Sequence, residues 1–435
     1  MGSCCVISPQ GEKLSGSGGI SLGVSLLFLF LCSNVQARIW VDSTGKIRVI
    51  ADLVKVEDNA AFLRERDGQV FRVPLSRLSE NDQEYLRSLN LIKDDSPSTA
   101  PNPKEASKTT PVEYALVREP SRKIRGTMTM QVSAPRLKAD EWVLFCPFAP
   151  TTPGQRVSSV SMKGGSTVRD LNSNVRDLLC SKHSVRSKPE ETSFQTSMVI
   201  EAQLYSRRLV PKSETPSTMP KPLAPIERSS FLSETSLINY RSPEFGDWLQ
   251  TCQLIRATGE TEIAYAKRVF SHIKNHFEYS YDEKMNRLAS FVCRDGASDC
   301  GGLAIVFVSA MRAHRIPSRL NAGLWAESSE EGATFDGVDY FQQHVKGEFY
   351  AERVGWVPVD LSSAILYDES EEGLHYFGND PGDFVTLHFD HGIGVDTIHF
   401  GKQTVDWMQG MSYWVTGSGS LDGSTMEKSW VIDVY

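Results

Sequence analysis

The sequence predicts an α+β chain built in several segments, and three observations point to it. Two stretches rich in Pro, Ser, Thr and Lys, 93–111 and 211–228, interrupt the chain. Short strand-like runs between turn residues recur ahead of the second stretch. After it lies one long apolar run, Leu303 to Met311, whose length suits a buried helix better than a strand. The 435 residues, 40% hydrophobic and 23% charged, suffice for two to four domains. A net charge of -8 and the lack of a basic, aromatic-interleaved patch give a nucleic-acid partner no footing.

Ile20 to Leu31 is a twelve-residue apolar core, too short to span a bilayer. Val35-Gln36-Ala37 then offers the small residues that a signal peptidase reads. Residues 1–37 therefore read as a cleaved signal. The mature chain is expected from about Arg38, secreted or periplasmic and without a membrane attachment. Lipid anchors are excluded, because Cys32 follows the bulky pair Phe30-Leu31 and Val6 stands where myristoylation needs Ser or Thr.

Residues 38–92 read as compact and strand-rich. Lys46 to Val54 alternates apolar with polar residues, and Asp67-Gly68 turns a hairpin into Val70 to Leu75. Ser79-Glu80-Asn81-Asp82 caps a short helix through Leu89. The words RIWVDSTGKIRVIADLV and DGQVFRVPLSRLSENDQEYL resemble the Sla homology domain 1. That resemblance implies an SH3-like β-barrel serving as a protein-binding or spacer module. Trp40 and Phe62 are expected in its core rather than on a ligand platform.

Past the 93–111 linker, strands are expected at Ile124–Ser133, Glu141–Phe145, Val157–Met162 and Ser197–Tyr205. They predict an antiparallel β-sandwich over 112–210. The 211–228 linker would then lead to a last domain, 229–435. There Thr261–His276 places Ile263, Ala266, Val269, Phe270 and Ile273 on one helical face. Ser318–Ala326, His344–Tyr350 and Trp356–Leu361 read as strands.

The apolar helix begins at Cys300, with Ser298 or Asp299 as N-cap, and cannot pass Pro317. A first-turn cysteine meets unpaired N–H groups and the positive dipole end, which favour a thiolate. A buried structural thiol is the plain alternative. Gly301 and Gly302 leave room beside the sulfur. A nucleophilic thiol needs a base, and the base an orienting group. His344 opens one strand and Asp360 ends the next. A turn centred near Glu352 sets 344 opposite 360, where a carboxylate fixes the tautomer of the imidazole.

The segment SDCGGLAIVFVSAMRAHRIPSR, then His344, then GWVPVD at 355–360, resembles the transglutaminase-like core, a papain-like thiol fold. The resemblance runs at least from Phe245 to Leu361. It implies a catalytic triad of Cys300, His344 and Asp360 acting on peptide or glutamine carboxamide bonds through a thioacyl intermediate. Water as acceptor makes a protease or amidase, the expected outcome, and a primary amine makes a transglutaminase. It also implies a β-sandwich ahead of the core. The chain departs from the family at Lys346, where Trp is usual. The other reading is a catalytically silent scaffold, with the thiol fold and the N-terminal module both used for docking. The backbone N–H of Cys300 is a candidate oxyanion donor.

Cys146, Cys180, Cys252 and Cys293 allow two disulfides in any of three pairings, or four buried free thiols. His388, Asp390, His391 and His399 lie close in sequence but lack the spacing of a zinc site, as do His272 and His276. Solvated or core histidines are expected, with no metal and no cofactor. Glu330-Glu331 and Glu371-Glu372 read as solvated loop charges.

Overall fold

A computed structural model describes residues 38–43, 48–64, 68–79, 82–83, 86–87, 91, 113–185, 193–214, 220–282, 284–329, 334–335, 338–339 and 341–435. The signal (1–37), the first linker (93–111) and Glu330-Glu331 lie outside the described residues. The described chain falls into two compact units, one within 38–91 and one within 113–435.

In the first unit four antiparallel strands, Arg38–Val41, Arg48–Glu57, Ala60–Arg64 and Val70–Pro74, follow one another in chain order. Asp58 and Asn59, both at positive φ, make the tight second turn, a conformation those residue types tolerate. Trp40, Leu53, Leu63, Leu75 and Leu78 form a small core, and the Trp40 indole donates to Ala51 O at 3.0 Å. The expected core role of Trp40 is what is seen. Phe62 departs from it: one residue from inward-facing Leu63, it points outward beneath Lys55 Nζ, 4.9 Å from its ring. A bridge between Asp42 and Leu78 brings the end of the first strand to the turn after the fourth. No closed barrel forms among the described residues.

The second unit is built around a sandwich core and a thiol core, with two smaller apolar clusters beside them. The sandwich has two sheets. One sheet runs in the order Asn379–Asp380, Ser193–Pro211, Tyr114–Ser133, Thr425–Val434, with Gln155–Met162 also on the second of these. The facing sheet runs Ser412–Gly419, Leu137–Pro147, Asp177–Ser184, Gly165–Arg169. Thr196, Met198, Ile200, Ala202 and Leu204 are buried at every second position, which commits one face of their strand to the core. The expected boundary at 211–228 does not separate two self-contained segments. Strands 412–419 and 425–434 return from beyond the thiol core and complete both sandwich sheets, pairing with 137–147 and 114–133. Without them both central strands would be bare edges. Within the expected linker, Pro225–Ser230 is helical. Gly126 marks the return: a Cβ there would lie 2.2 Å from the Trp430 ring.

The thiol core is a sheet in the order Gly355–Val359, Gln343–Ala351, Ser318–Trp325, Phe384–Phe389. Helix Cys300–Ala313 packs against its two central strands and against helices Glu262–His276 and Ala289–Asp295. Being apolar all round, it is buried from Gly301 to Arg312. Arg312, buried in its last turn, donates to Ser233 O and Ser318 O and pairs with Asp390 at 2.7 Å. Pro358 lies on the edge strand, where its missing N–H costs no ladder bond.

Candidate active site

A two-residue parallel pairing, Glu278–Tyr279 with Ala297–Ser298, leads the chain into the Cys300 helix. Of the two candidate caps, Asp299 is the one used, its Oδ1 accepting from Gly302 N at 3.0 Å. Arg287 holds the other oxygen from Nε and Nη2 at 2.9 and 2.8 Å. Gly302 serves this turn rather than the sulfur, since a Cβ there would lie 1.9 Å from Ser298 Oγ. At Gly301 the nearest atoms include the Trp407 ring, 3.5 Å from where a Cβ would be.

His344 is buried near the start of its strand, with Nε2 2.9 Å from Asp360 Oδ2. The Trp325 indole stacks on it, with centroids 4.5 Å apart and planes 22° from parallel. Gln409 Nε2 donates to His344 O at 2.9 Å. Asp360 caps the helix Leu361–Tyr367, its Oδ1 accepting from Ser363 N at 3.1 Å and Ser362 Oγ at 3.2 Å. Burial opposes its charge, but His344, Lys346 and the Ser363 N–H together hold its carboxyl well below the usual range.

The turn is centred one residue later than expected, which shifts the strand register by two residues. Gly347 pairs with Val359 and Ala351 with Gly355, so the turn is centred at Arg353. Continued one step, this register sets Lys346, not His344, against Asp360. His344 reaches the carboxylate along the diagonal, a distance long side chains span. Lys346 is buried, with Nζ 3.9 Å from Asp360, 3.6 Å from Asp380 and 3.7 Å from Asp383. Beyond it Arg207 binds both Asp380 and Glu348, and Arg319 pairs with Glu348 at 2.7 Å.

Cys300 lies beside this pair. The backbone N–H of Val345, next in chain to His344, and the Asp360 carboxylate are both near enough to act on its titration. Burial, then the Asp299 carboxylate, push the thiol up, while Val345 N–H and Arg287 pull it back. Burial and the Asp299 charge thus oppose the pull of the helix start towards a thiolate.

The remaining candidates resolve as core chemistry. His388 Nδ1 donates to Asp390 O at 2.8 Å while Nε2 accepts from Met408 N at 3.2 Å, which fixes a neutral ring. His391 Nε2 meets Thr235 Oγ1 at 2.5 Å. Burial lowers both, to about 3 and about 4. His399 meets Glu141 at 2.7 Å on the surface, and His272 and His276 stack 4.3 Å apart. Among the described residues no three metal-ligating side chains cluster. Cys146, Cys180 and Cys293 are free thiols. Cys146 and Cys180 sit on adjacent strands one position out of register and belong to different cores. Arg287, Trp325, Trp407 and Gln409 are site neighbours that sequence reasoning missed. The last two come from a loop some sixty residues past His344, and no motif announces them.

A helix-borne thiol beside a strand-borne imidazole and a capping carboxylate, on one α+β core, is the arrangement of papain-like thiol folds. Residues 250–361 match the transglutaminase-like superfamily, and residues 33–93 match SLA1 homology domain 1. A proposed cysteine protease from Cytophaga hutchinsonii aligns at 13% identity and TM-score 0.44, over 73% of this chain and 92% of that one. The periplasmic domain of TgpA from Pseudomonas aeruginosa aligns at 13% identity and TM-score 0.29, over 59% of this chain and 93% of its own. No curated protein matches the chain. Among the described residues no helix is long and apolar enough to cross a membrane.

Proposed function

We propose that the protein is an exported cysteine hydrolase that cleaves peptide or carboxamide bonds of protein substrates. The reading takes Cys300 as nucleophile, His344 as proton shuttle and Asp360 as the carboxylate that orients it. The observation that carries it is the 2.9 Å His344–Asp360 pair beside a helix-start thiol. Because Nε2 is committed to Asp360, Nδ1 is the nitrogen left for the thiol proton. That proton moves to Nδ1 as the sulfur attacks the carbonyl carbon, giving a tetrahedral oxyanion. The imidazolium then protonates the leaving amine as the C–N bond breaks. Water, deprotonated by the same imidazole, cleaves the thioester and restores the thiol. With burial opposing the thiolate, the imidazole is the group that takes the thiol proton.

In this reading residues 1–37 are removed as a signal, and the module over 38–92, an SH3-like barrel, docks a protein ligand. N-terminal sequencing of exported material is expected to begin near Arg38.

The test of the chemistry is cleavage of labelled casein, with ammonia release and amine incorporation measured in parallel. Cys300→Ala and His344→Ala are each expected to abolish turnover, and the double variant to cost little more than either. Asp360→Asn is expected to hurt less, since the imidazole stays but loses tautomer control. Activity retained by Cys300→Ala sinks the reading. Amine incorporation in place of hydrolysis converts it to a transferase.

A further inference from the structure

Lys346 shares both partners of the His344 ring. The two side chains are two residues apart on one strand and so leave it on the same face. Both contact Asp360 Oδ2, the imidazole at 2.9 Å and the ammonium at 3.9 Å. Both also meet the Trp325 indole, the ring stacked on it and the Lys346 Nζ 4.4 Å from its centroid. An aromatic face and a carboxylate are the two environments that favour an imidazolium over an imidazole. Here a permanent cation already occupies each.

We propose that Lys346 is a positioning residue for the His344–Asp360 pair: its ammonium shares the carboxylate and the indole with the ring, and so helps set the charge felt at the pair and at the Cys300 sulfur. The proposal rests on the thiol-hydrolase reading above and assigns a job to the position where the sequence departs from its family.

The charges around the pair come from several elements. Asp360 precedes helix 361–367, Asp380 lies on strand 379–380, and Asp383 lies just ahead of strand 384–389. Arg207 acts from the sandwich strand 193–211 and is held by Asp380 and by Glu348 of the His344 strand itself. Tyr376 lies near both Asp360 and Lys346. Cys300 approaches from its own helix. Take Lys346 away, and Asp360, Asp380 and Asp383 lose the ammonium they share, with Arg207, already doubly paired, as the remaining cation of that group. Burial penalises the ammonium, yet the three carboxylates keep it charged, and its titration is raised. It therefore acts as a fixed charge across the working pH range.

The experiment is the pH dependence of Cys300 alkylation by iodoacetamide in the full chain, read as the rate of modification of the Cys300 peptide by mass spectrometry. Lys346→Met removes the cation but keeps a linear side chain. The midpoint is expected to rise by about one pH unit, the scale of a charge 4–6 Å away. Asp383→Asn removes a carboxylate from the far side of Lys346, and its midpoint is expected to fall by a smaller amount. Lost packing alone does not move the two in opposite directions. An unmoved midpoint in Lys346→Met overturns the proposal. If that variant fails to fold, Asp383→Asn decides it: a fall supports the proposal, and an unmoved or raised midpoint overturns it. The assay needs no substrate. A chain that cleaves no amide but shifts its midpoint sinks the hydrolase reading and leaves the role of Lys346, whereas an active enzyme with an unmoved midpoint does the reverse.

Discussion

The Cys300 helix and the His344 strand pack on each other, and each is almost wholly buried, by opposite chemistry. Along the helix, Leu303, Ile305, Val306, Phe307 and Val308 have no exposed surface, and burial of apolar area accounts for their place. Along the strand His344, Lys346 and Glu348 are buried at alternate positions, and each is there because a countercharge meets it. The helix is held by a force without direction. The strand is held by pairings that fail if one partner goes. The candidate nucleophile thus sits on the element that tolerates conservative change, and the candidate base on the one that does not.

Breaking the ionic element is expected to have the largest effect. Glu348→Gln leaves Arg207 and Arg319 without their shared carboxylate. It should cost about 3–5 kcal/mol in denaturant unfolding, as loss of one member of a buried ion set does. A loss below about 1 kcal/mol, the value of an exposed pair, would show that the strand is not held this way.

Acid sharpens the contrast next. His388 and His391 are neutral in the fold, with pKa values lowered to about 3 and about 4. Between pH 6.5 and 5 the unfolded chain binds protons that the fold refuses, so stability falls as pH falls. Each histidine contributes up to about 2 kcal/mol over that window, from 1.36 kcal/mol per unit. Below about pH 4, the ordinary carboxylate value, the lowered carboxyls of Asp360, Asp380, Asp390 and Glu348 add a second loss with the same sign. Stability that stays flat from pH 7.5 to 5 would contradict the buried neutral histidines.

The apolar element should yield least. Ile305→Val removes one methylene from a close-packed site and is expected to cost about 0.5–1.5 kcal/mol by the same measurement. Cys300 alkylation should be unchanged in rate. A cost comparable to that of Glu348→Gln would erase the distinction between helix and strand.

The same contrast explains what the sequence made legible. Apolar periodicity is a local signal, so Thr261–His276, the Cys300 helix and the three strands that follow were all placed within a few residues of their observed ends. The His344–Asp360 pairing was legible as well, but its register was off by two. The displacement hid the residue that opposes Asp360, and Lys346 read as a gap in a family pattern rather than as a neighbour of the site. The ionic layer could not be read, because Arg207, Asp380 and Glu348 carry no motif and meet only through the fold. Trp407 and Gln409 escaped for the same reason. The sandwich was visible from its alternation, but alternation names a face and not a partner. Nothing in 412–434 announces that those strands pair with residues some three hundred positions earlier.

That pairing sets the order in which the molecule can assemble. Strand 114–133 is made early in synthesis, yet one of its neighbours is strand 425–434, the last to leave the ribosome among the described elements. Until then its edge is bare, and a long stretch of chain must be closed before the pair can form. Trp430 on that late strand fills the space left at Gly126, and its Nε1 donates to Trp325 O at 2.9 Å, the residue whose ring lies under His344. The floor of the candidate site is therefore set only after the rest of the core has been made. The nascent chain gains its candidate site last.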